Sequence, residues 1–261
     1  MHAFYTFADG RYTPSLLCRG PWSPDAQHGG PPAGLLAMAV ERHGPDAADF
    51  RLARLTVDLL RPIPLRPLEL ALRPVREGRK AGWYDAELRA EGVLVARATA
   101  LRVRRRAEPL SAEALGGGLP PGPPPPGPAG LPNFVFPFFA WSPAFHTAVE
   151  LREVGQSWPH SPVTAWARPT VALVSGEPWT PGARVACLCD ALNGVSPAVP
   201  VGDLDFPNAD LTVALRRAPV GEWLGLRARS QPDPGGGGLA QATLYDELGE
   251  LGLAAEDLVL G

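Results

Sequence analysis

One short segment of this chain is written twice. Leu55-Thr56-Val57-Asp58-Leu59 recurs as Leu211-Thr212-Val213-Ala214-Leu215, an offset of 156 residues. A second pair keeps almost the same spacing: Glu91-Gly92-Val93-Leu94 and Leu248-Gly249-Glu250-Leu251, 157 residues apart at the glycines. Two separate strands at a near-constant offset are hard to reach by chance. The 261 residues are therefore expected to fold as two copies of one unit. Each copy also carries a helix. The first follows His28-Gly29-Gly30 and has no charged residue from Pro31 to Val40. A helix with no polar face has to be wrapped on most sides. The second is expected over 181–194, with proline early and Asn193-Gly194 at its stop.

Alternating apolar residues predict strands around each helix. In the first copy they fall over 51–60, 68–76, 82–90 and 93–103, after a hairpin-like segment turning at Asp9-Gly10. In the second they fall over 210–217, 223–230, 239–245 and 250–260. Residues 116–132 are almost only glycine and proline, which can join neither a ladder nor a helix. The division expected is a first unit over 1–106, a linker over 107–133 and a second unit over 134–261. The fold class is α+β: two helix-plus-antiparallel-sheet units forming a pseudo-dimer within one chain.

Composition narrows the function. A net charge of −3 with scattered arginines gives no basic footprint for nucleic acid. Cys18, Cys187 and Cys189 are too few and too oddly spaced for a disulfide framework, which points to a reducing compartment. Cys187 and Cys189 read as core residues of the second helix. The early aromatic and acidic residues and the lack of a long apolar run predict a cytoplasmic protein without leader or membrane span. The histidines outside the Gly-Gly segment show no metal-ligand spacing. There is no Gly-x-Ser-x-Gly elbow and no phosphate loop followed by lysine.

The chemistry concentrates at the start of the first helix. Gly29 and Gly30 lack Cβ atoms, so a carbonyl could approach free N–H groups at the positive end of the helix dipole. His28 reads as an exposed residue before the helix or a contact to substrate, rather than as a base. The aromatic run 134–141 is expected to pack across the junction of the repeats, with a part in lining an acyl tunnel as the alternative.

The chain resembles the acyl-CoA thioesterase II family, whose members carry two fused hotdog folds. The matching residues are His28-Gly29-Gly30, Arg61-Pro62 and the strand pair around Gly92 in the first half. In the second half they are Asp210 with Arg217, Glu222-Trp223-Leu224, and Tyr245-Asp246 before Gly249. The resemblance implies hydrolysis of acyl-CoA thioesters, with CoA as the substrate's carrier and no retained cofactor. It implies a catalytic aspartate at Asp210, a hydroxyl residue at Ser230 with Gln231 in the adjacent register, and a glutamine position at Glu256 or Asp257. Where the family carries glutamine this chain has an acid, which donates a hydrogen bond only when protonated. Partial burial in an apolar strand would raise the Asp210 pKa and suit it to activate water. His28, Gly29, Gly30 and Gln231 would contact substrate, and further pairing into a homodimer is compatible with the family. The competing reading is a non-catalytic acyl-CoA or acyl-chain binder on the same scaffold. A third is a hydratase acting on acyl thioesters.

Overall fold

The two duplicated strands lie side by side at the centre of the molecule. The computed structural model describes residues 2–111, 114 and 122–261. The first half runs β1 (Ala3–Ala8), β2 (Arg11–Pro14), α1 (Gly30–Glu41), β3 (Phe50–Leu59), β4 (Leu68–Glu77), β5 (Ala81–Ala90) and β6 (Val93–Arg104). After it come β7 (Asn133–Phe134), β8 (Val149–Val154), β9 (Val163–Pro169), β10 (Ala172–Val174), α2 (Pro181–Cys189) and α3 (Leu192–Val195). The chain closes with β11 (Asp210–Leu215), β12 (Leu224–Pro232), β13 (Gly237–Asp246) and β14 (Gly249–Val259). Among the described residues these strands make one sheet in the order β10-β1-β2-β4-β5-β6-β3-β11-β14-β13-β12-β9-β8-β7.

From the centre outwards the order corresponds through six strands, β3-β6-β5-β4-β2-β1 and β11-β14-β13-β12-β9-β8, while at the edges β10 joins β1 in parallel and β7 joins β8 antiparallel. β3 pairs with β11 antiparallel, with Thr56 opposite Thr212, Leu55 opposite Val213 and Val57 opposite Leu211. The two threonine hydroxyls are 3.1 Å apart. The duplicated segment therefore meets its own copy, as in a two-fold dimer interface, and the repeat axis passes between Thr56 and Thr212. The hairpins are set by their turns. Asp9-Gly10 (φ 51° and 75°) and Glu91-Gly92 (φ 51° and 79°) carry the positive φ at both central positions that a type I′ turn requires.

Helix α1 is buried from Gly30 to Met38 and again at Val40, as its uncharged sequence requires. Leu35, Leu36 and Val40 are fully buried, each contributing about 1.5–3 kcal/mol of hydrophobic stabilisation. α1 and α2 run antiparallel and close. A Cβ on Gly30 would lie 2.3 Å from the Cys187 carbonyl oxygen, so glycine there is a condition of the packing. At the other end the Glu41 carboxylate accepts hydrogen bonds from Gly182 N (3.0 Å) and Ala183 N (3.1 Å), capping α2.

The second helix differs from the expectation over 181–194. It stops at Cys189, turns through Asp190 and Ala191, and resumes as α3. The break is stabilised from outside. Asn193 N–H donates to the Glu256 carboxyl (3.1 Å) rather than up the helix, and the Asp190 carboxylate meets partners from the first repeat and from the β11 approach. Of the expected linker, residues 112–113 and 115–121 lie outside the described residues. The described proline run is held against the second repeat: Pro126 O accepts from Trp166 Nε1 (2.7 Å) and Pro128 O from an Arg152 guanidinium N–H (2.8 Å). Cys18, Cys187 and Cys189 are free and buried.

Candidate active site

The segment 27–30 is clamped before α1 begins. Gln27 N donates to Ile63 O (2.7 Å) and His28 N to Cys18 O (2.7 Å), while the Tyr5 hydroxyl donates to Gln27 Oε1 (2.6 Å). Pro31 and Pro32 have no N–H, and the buried Gly30 N is aimed at His28 Nδ1, so the amide the positive end of the helix presents to the cavity is that of Gly29. Among the described residues the Gly29 amide donates to no protein acceptor.

Asp190, at the C-cap of α2, stands against this tip. A Cβ on Gly29 would lie 2.6 and 2.8 Å from its two carboxylate oxygens. Its side chain is 2% exposed, and a charge so buried must be paired. His28 Nδ1 is 2.8 Å from Asp190 Oδ2, and Asn208 Nδ2 donates to Asp190 Oδ1 at 2.8 Å. His28 Nδ1 is also 3.1 Å from Gly30 N. One ring nitrogen cannot donate to a carboxylate and accept from an amide at once. The shorter, charge-assisted contact decides: Nδ1 carries the proton and donates to Asp190. The ring is not exposed as expected, but stacks on Phe145 at 3.8 Å between centroids.

Behind this pair sits Glu256 on β14, with no exposed surface. Its Oε2 accepts from Asn193 N (3.1 Å), and its Oε1 is 3.4 Å from Asn208 Nδ2. Burial, and then the neighbouring Asp190 charge, push its pKa well above the usual carboxylate range. Asn208 Nδ2 also reaches the Asp210 carbonyl oxygen (3.0 Å). All three neighbours of the amide nitrogen are acceptors, which fixes its orientation and leaves Asn208 Oδ1 for a ligand.

These groups close one end of a cavity of about 440 Å³. His28, Gly29, Asp190, Asn193 and Asn208 line that end. Leu59, Ile63, Trp22, Phe136, Phe138 and Phe139 form the apolar wall, and Arg61 stands among the lining residues. The aromatic run thus lines the cavity as well as packing across the repeats. Trp22 stacks on Phe138 at 6.1 Å and meets Phe206 edge-on at 4.9 Å. A larger, shallower hollow beyond Phe138, of about 970 Å³, is lined by 200–206 and Trp158 and holds no comparable cluster.

The expected carboxylate is displaced. Asp210 is not among the cavity residues; it stands opposite Asp58 across the β3–β11 pair, and its Oδ1 accepts from Asp257 N (2.7 Å). Its pKa is raised, by burial first, as expected. Ser230 is buried, and its hydroxyl donates to Ser196 O. Gln231 is exposed on β12, opposite Leu239. Neither lines the cavity. The acid that does, Asp190, and its partner Asn208 escaped the sequence reading. Asp190 is a lone charge in the apolar run Cys187-Leu188-Cys189-Asp190-Ala191-Leu192, which was the available signal. Asn208 follows Pro207 and looks like a turn residue. Among the described residues no cluster of His, Cys, Asp or Glu has the arrangement to hold a metal ion, and no helix is long and apolar enough to cross a membrane.

Two buried antiparallel helices, backed by one two-fold-repeated, mostly antiparallel sheet with a cavity at a helix tip, define a double hotdog. Solved structures share it. A hot dog fold protein of unknown function from Alicyclobacillus acidocaldarius is 20% identical with a TM-score of 0.72, over 98% of this chain and 95% of that one. An acyl-CoA thioesterase II, TesB2, from Mycobacterium marinum is 16% identical with a TM-score of 0.66, over 98% and 93%. A tesB protein from Mycobacterium avium subspecies paratuberculosis is 18% identical with a TM-score of 0.66, over 97% and 94%. No curated protein matches the chain. Residues 18–103 match the acyl-CoA thioesterase N-terminal domain, and residues 119–255 match the acyl-CoA thioesterase C-terminal domain. The chain belongs to the acyl-CoA thioesterase family and is a thioester hydrolase.

Proposed function

We propose that this protein hydrolyses an acyl-CoA thioester by water attack, with Asp190 as the general base. The observation that carries the reading is a buried carboxylate held by His28 and Asn208 against the open tip of α1, at the end of an apolar cavity. The acyl chain lies along Trp22, Phe136, Phe138 and Phe139, and the CoA leaves past Arg61. The thioester oxygen sits on the Gly29 amide, where such a donor is typically worth about 3–4 kcal/mol of barrier. A water held between Asp190 and Asn208 Oδ1 attacks the carbonyl carbon as its proton passes to Asp190. The tetrahedral intermediate then breaks its C–S bond, and Asp190 returns the proton to the departing sulfur. Free acid and CoA thiol are the products, and the carboxylate is regenerated.

Thiol release from acyl-CoA esters of graded chain length tests this. Asp190→Asn is expected to lower kcat about 10²–10⁴-fold. Asp210→Asn, outside the cavity, is expected to stay near the wild-type rate. The reverse ranking restores Asp210 as the base. Saturable acyl-CoA binding without thiol release, equal in all three proteins, is the result a non-catalytic binder would give.

A further inference from the structure

We propose that Glu256 holds its proton at working pH, so that Asp190 and Glu256 act as one pair with a single negative charge, placed on Asp190. The proposal rests on the thioesterase reading above and assigns a positioning role to a residue that does not itself line the cavity. Both carboxyls are buried, Asp190 at 3% exposure and Glu256 at 0%, and one amide, Asn208 Nδ2, touches both. Two carboxyls sharing so dry a site do not both ionise, and burial together with the Asp190 charge pushes the Glu256 pKa up.

The donors decide which one keeps the charge. Asp190 faces His28 Nδ1–H and the close Asn208 N–H. Glu256 has one firm donor, Asn193 N–H, and a long contact to Asn208. The other titratable groups around Glu256 favour its neutral form: Asp190 from the α2–α3 turn and Asp210 from β11, with the thiol of Cys189 at the end of α2 nearby. From β13 its register partner is Ala240, which carries no charge. Among the described residues no arginine or lysine is paired to it. Among the described residues His28 is paired with Asp190 and not with Glu256.

The proton has a consequence for the reaction. During attack the water's proton goes to Asp190 and later to sulfur, while Glu256 keeps its own throughout. A neutral Glu256 presents an acceptor and an O–H donor, as an amide would. Loss of that proton puts a second charge behind Asp190, next to a site where the substrate carbonyl must become an oxyanion. It also draws the Asn208 amide away from Asp190. Hydrolysis should then fail on the alkaline side, by about tenfold for each pH unit beyond the ionisation.

The test pairs a kinetic profile with infrared spectroscopy. Wild-type protein is expected to lose kcat/KM with rising pH, and Glu256→Gln to lack that limb. The resting wild-type protein at neutral pH is expected to show a carboxylic-acid C=O band that the Glu256→Gln difference spectrum removes. In wild-type protein alone, the band must disappear over the same pH range as the rate. A shared alkaline limb, no limb in the wild type, or no carboxylic-acid band at neutral pH overturns the proposal. The infrared arm does not depend on turnover. A protein with the band and no thiol release at any pH would overturn the thioesterase reading and leave the proton assignment standing.

Discussion

Gly29→Ala isolates the contact on which the site depends. Gly29 has φ −66° and ψ −19°, a conformation alanine adopts freely, so the backbone gives no reason for loss. The added Cβ is the whole perturbation. It would lie 2.6 and 2.8 Å from the Asp190 oxygens, and ordinary contact begins at 3.4 Å. The carboxylate must retreat by roughly 0.8 Å, because α1 is packed against α2 and cannot yield. A misplacement of about 1 Å in a catalytic group costs on the order of 10²-fold, equal to about 2.7 kcal/mol of barrier. Stability should move less. A lengthened Asp190–His28 bond costs about 1 kcal/mol, and alanine, in a conformation it adopts freely, regains about 0.4–1 kcal/mol by restricting the unfolded chain. Thiol release and thermal unfolding on the same samples read the two effects apart. Gly34→Ala is the control, since its new Cβ would meet only neighbours at 3.3 Å, remote from Asp190. A Gly29→Ala protein within twofold of the wild-type kcat, or a Gly34→Ala protein equally slow, refutes the reasoning.

Two further expectations concern stability. Asp246 is buried and paired with Arg217, and it also accepts from Val220 N and Leu248 N. Desolvation opposes its ionised form, but these partners win and its pKa is lowered. Its stabilising contribution is therefore present above the unfolded-state pKa and is lost as pH falls through the folded one. Asp246→Asn should cost about 3 kcal/mol at neutral pH in a denaturant titration and converge on wild type in acid. Glu41 caps α2 but is pushed up in pKa by burial, so its folded form binds the proton more tightly and stability declines as pH rises from the unfolded value through the folded one. Glu41→Ala should lose about 1–2 kcal/mol of cap energy and lack that slope, read as Tm against pH.

Much of the scaffold was legible because it obeys local rules. The uncharged run 31–40 could only be a wrapped helix, and Asp9-Gly10 and Glu91-Gly92 could only be tight hairpin turns. The repeat predicted two units, and the Thr56–Thr212 register carries the same offset into three dimensions. The helix tip at Gly29 and Gly30 was legible for the same reason, since two glycines followed by two prolines leave few other uses. The acid was not. The family resemblance pointed to Asp210, at the start of an apolar strand, yet its carboxylate accepts from the Asp257 amide. Asp190 looked like part of a helix, because nothing nearby in sequence announces the turn that follows it.

The chain's own order of residues determined the doubled unit, the buried helices, the hairpins and the glycine-opened helix tip, all of which follow from periodicity, charge and turn geometry within a few residues. Which carboxylate meets that tip was decided only in three dimensions. The antiparallel crossing of α1 and α2 brings a residue numbered 190 against residues numbered 28 and 29, and the Glu256 carboxyl from β14 takes the Asn193 amide that an unbroken helix would have used. Those contacts span more than a hundred residues in one case and more than sixty in the other, and no local pattern can encode a partner that arrives from so far along the chain.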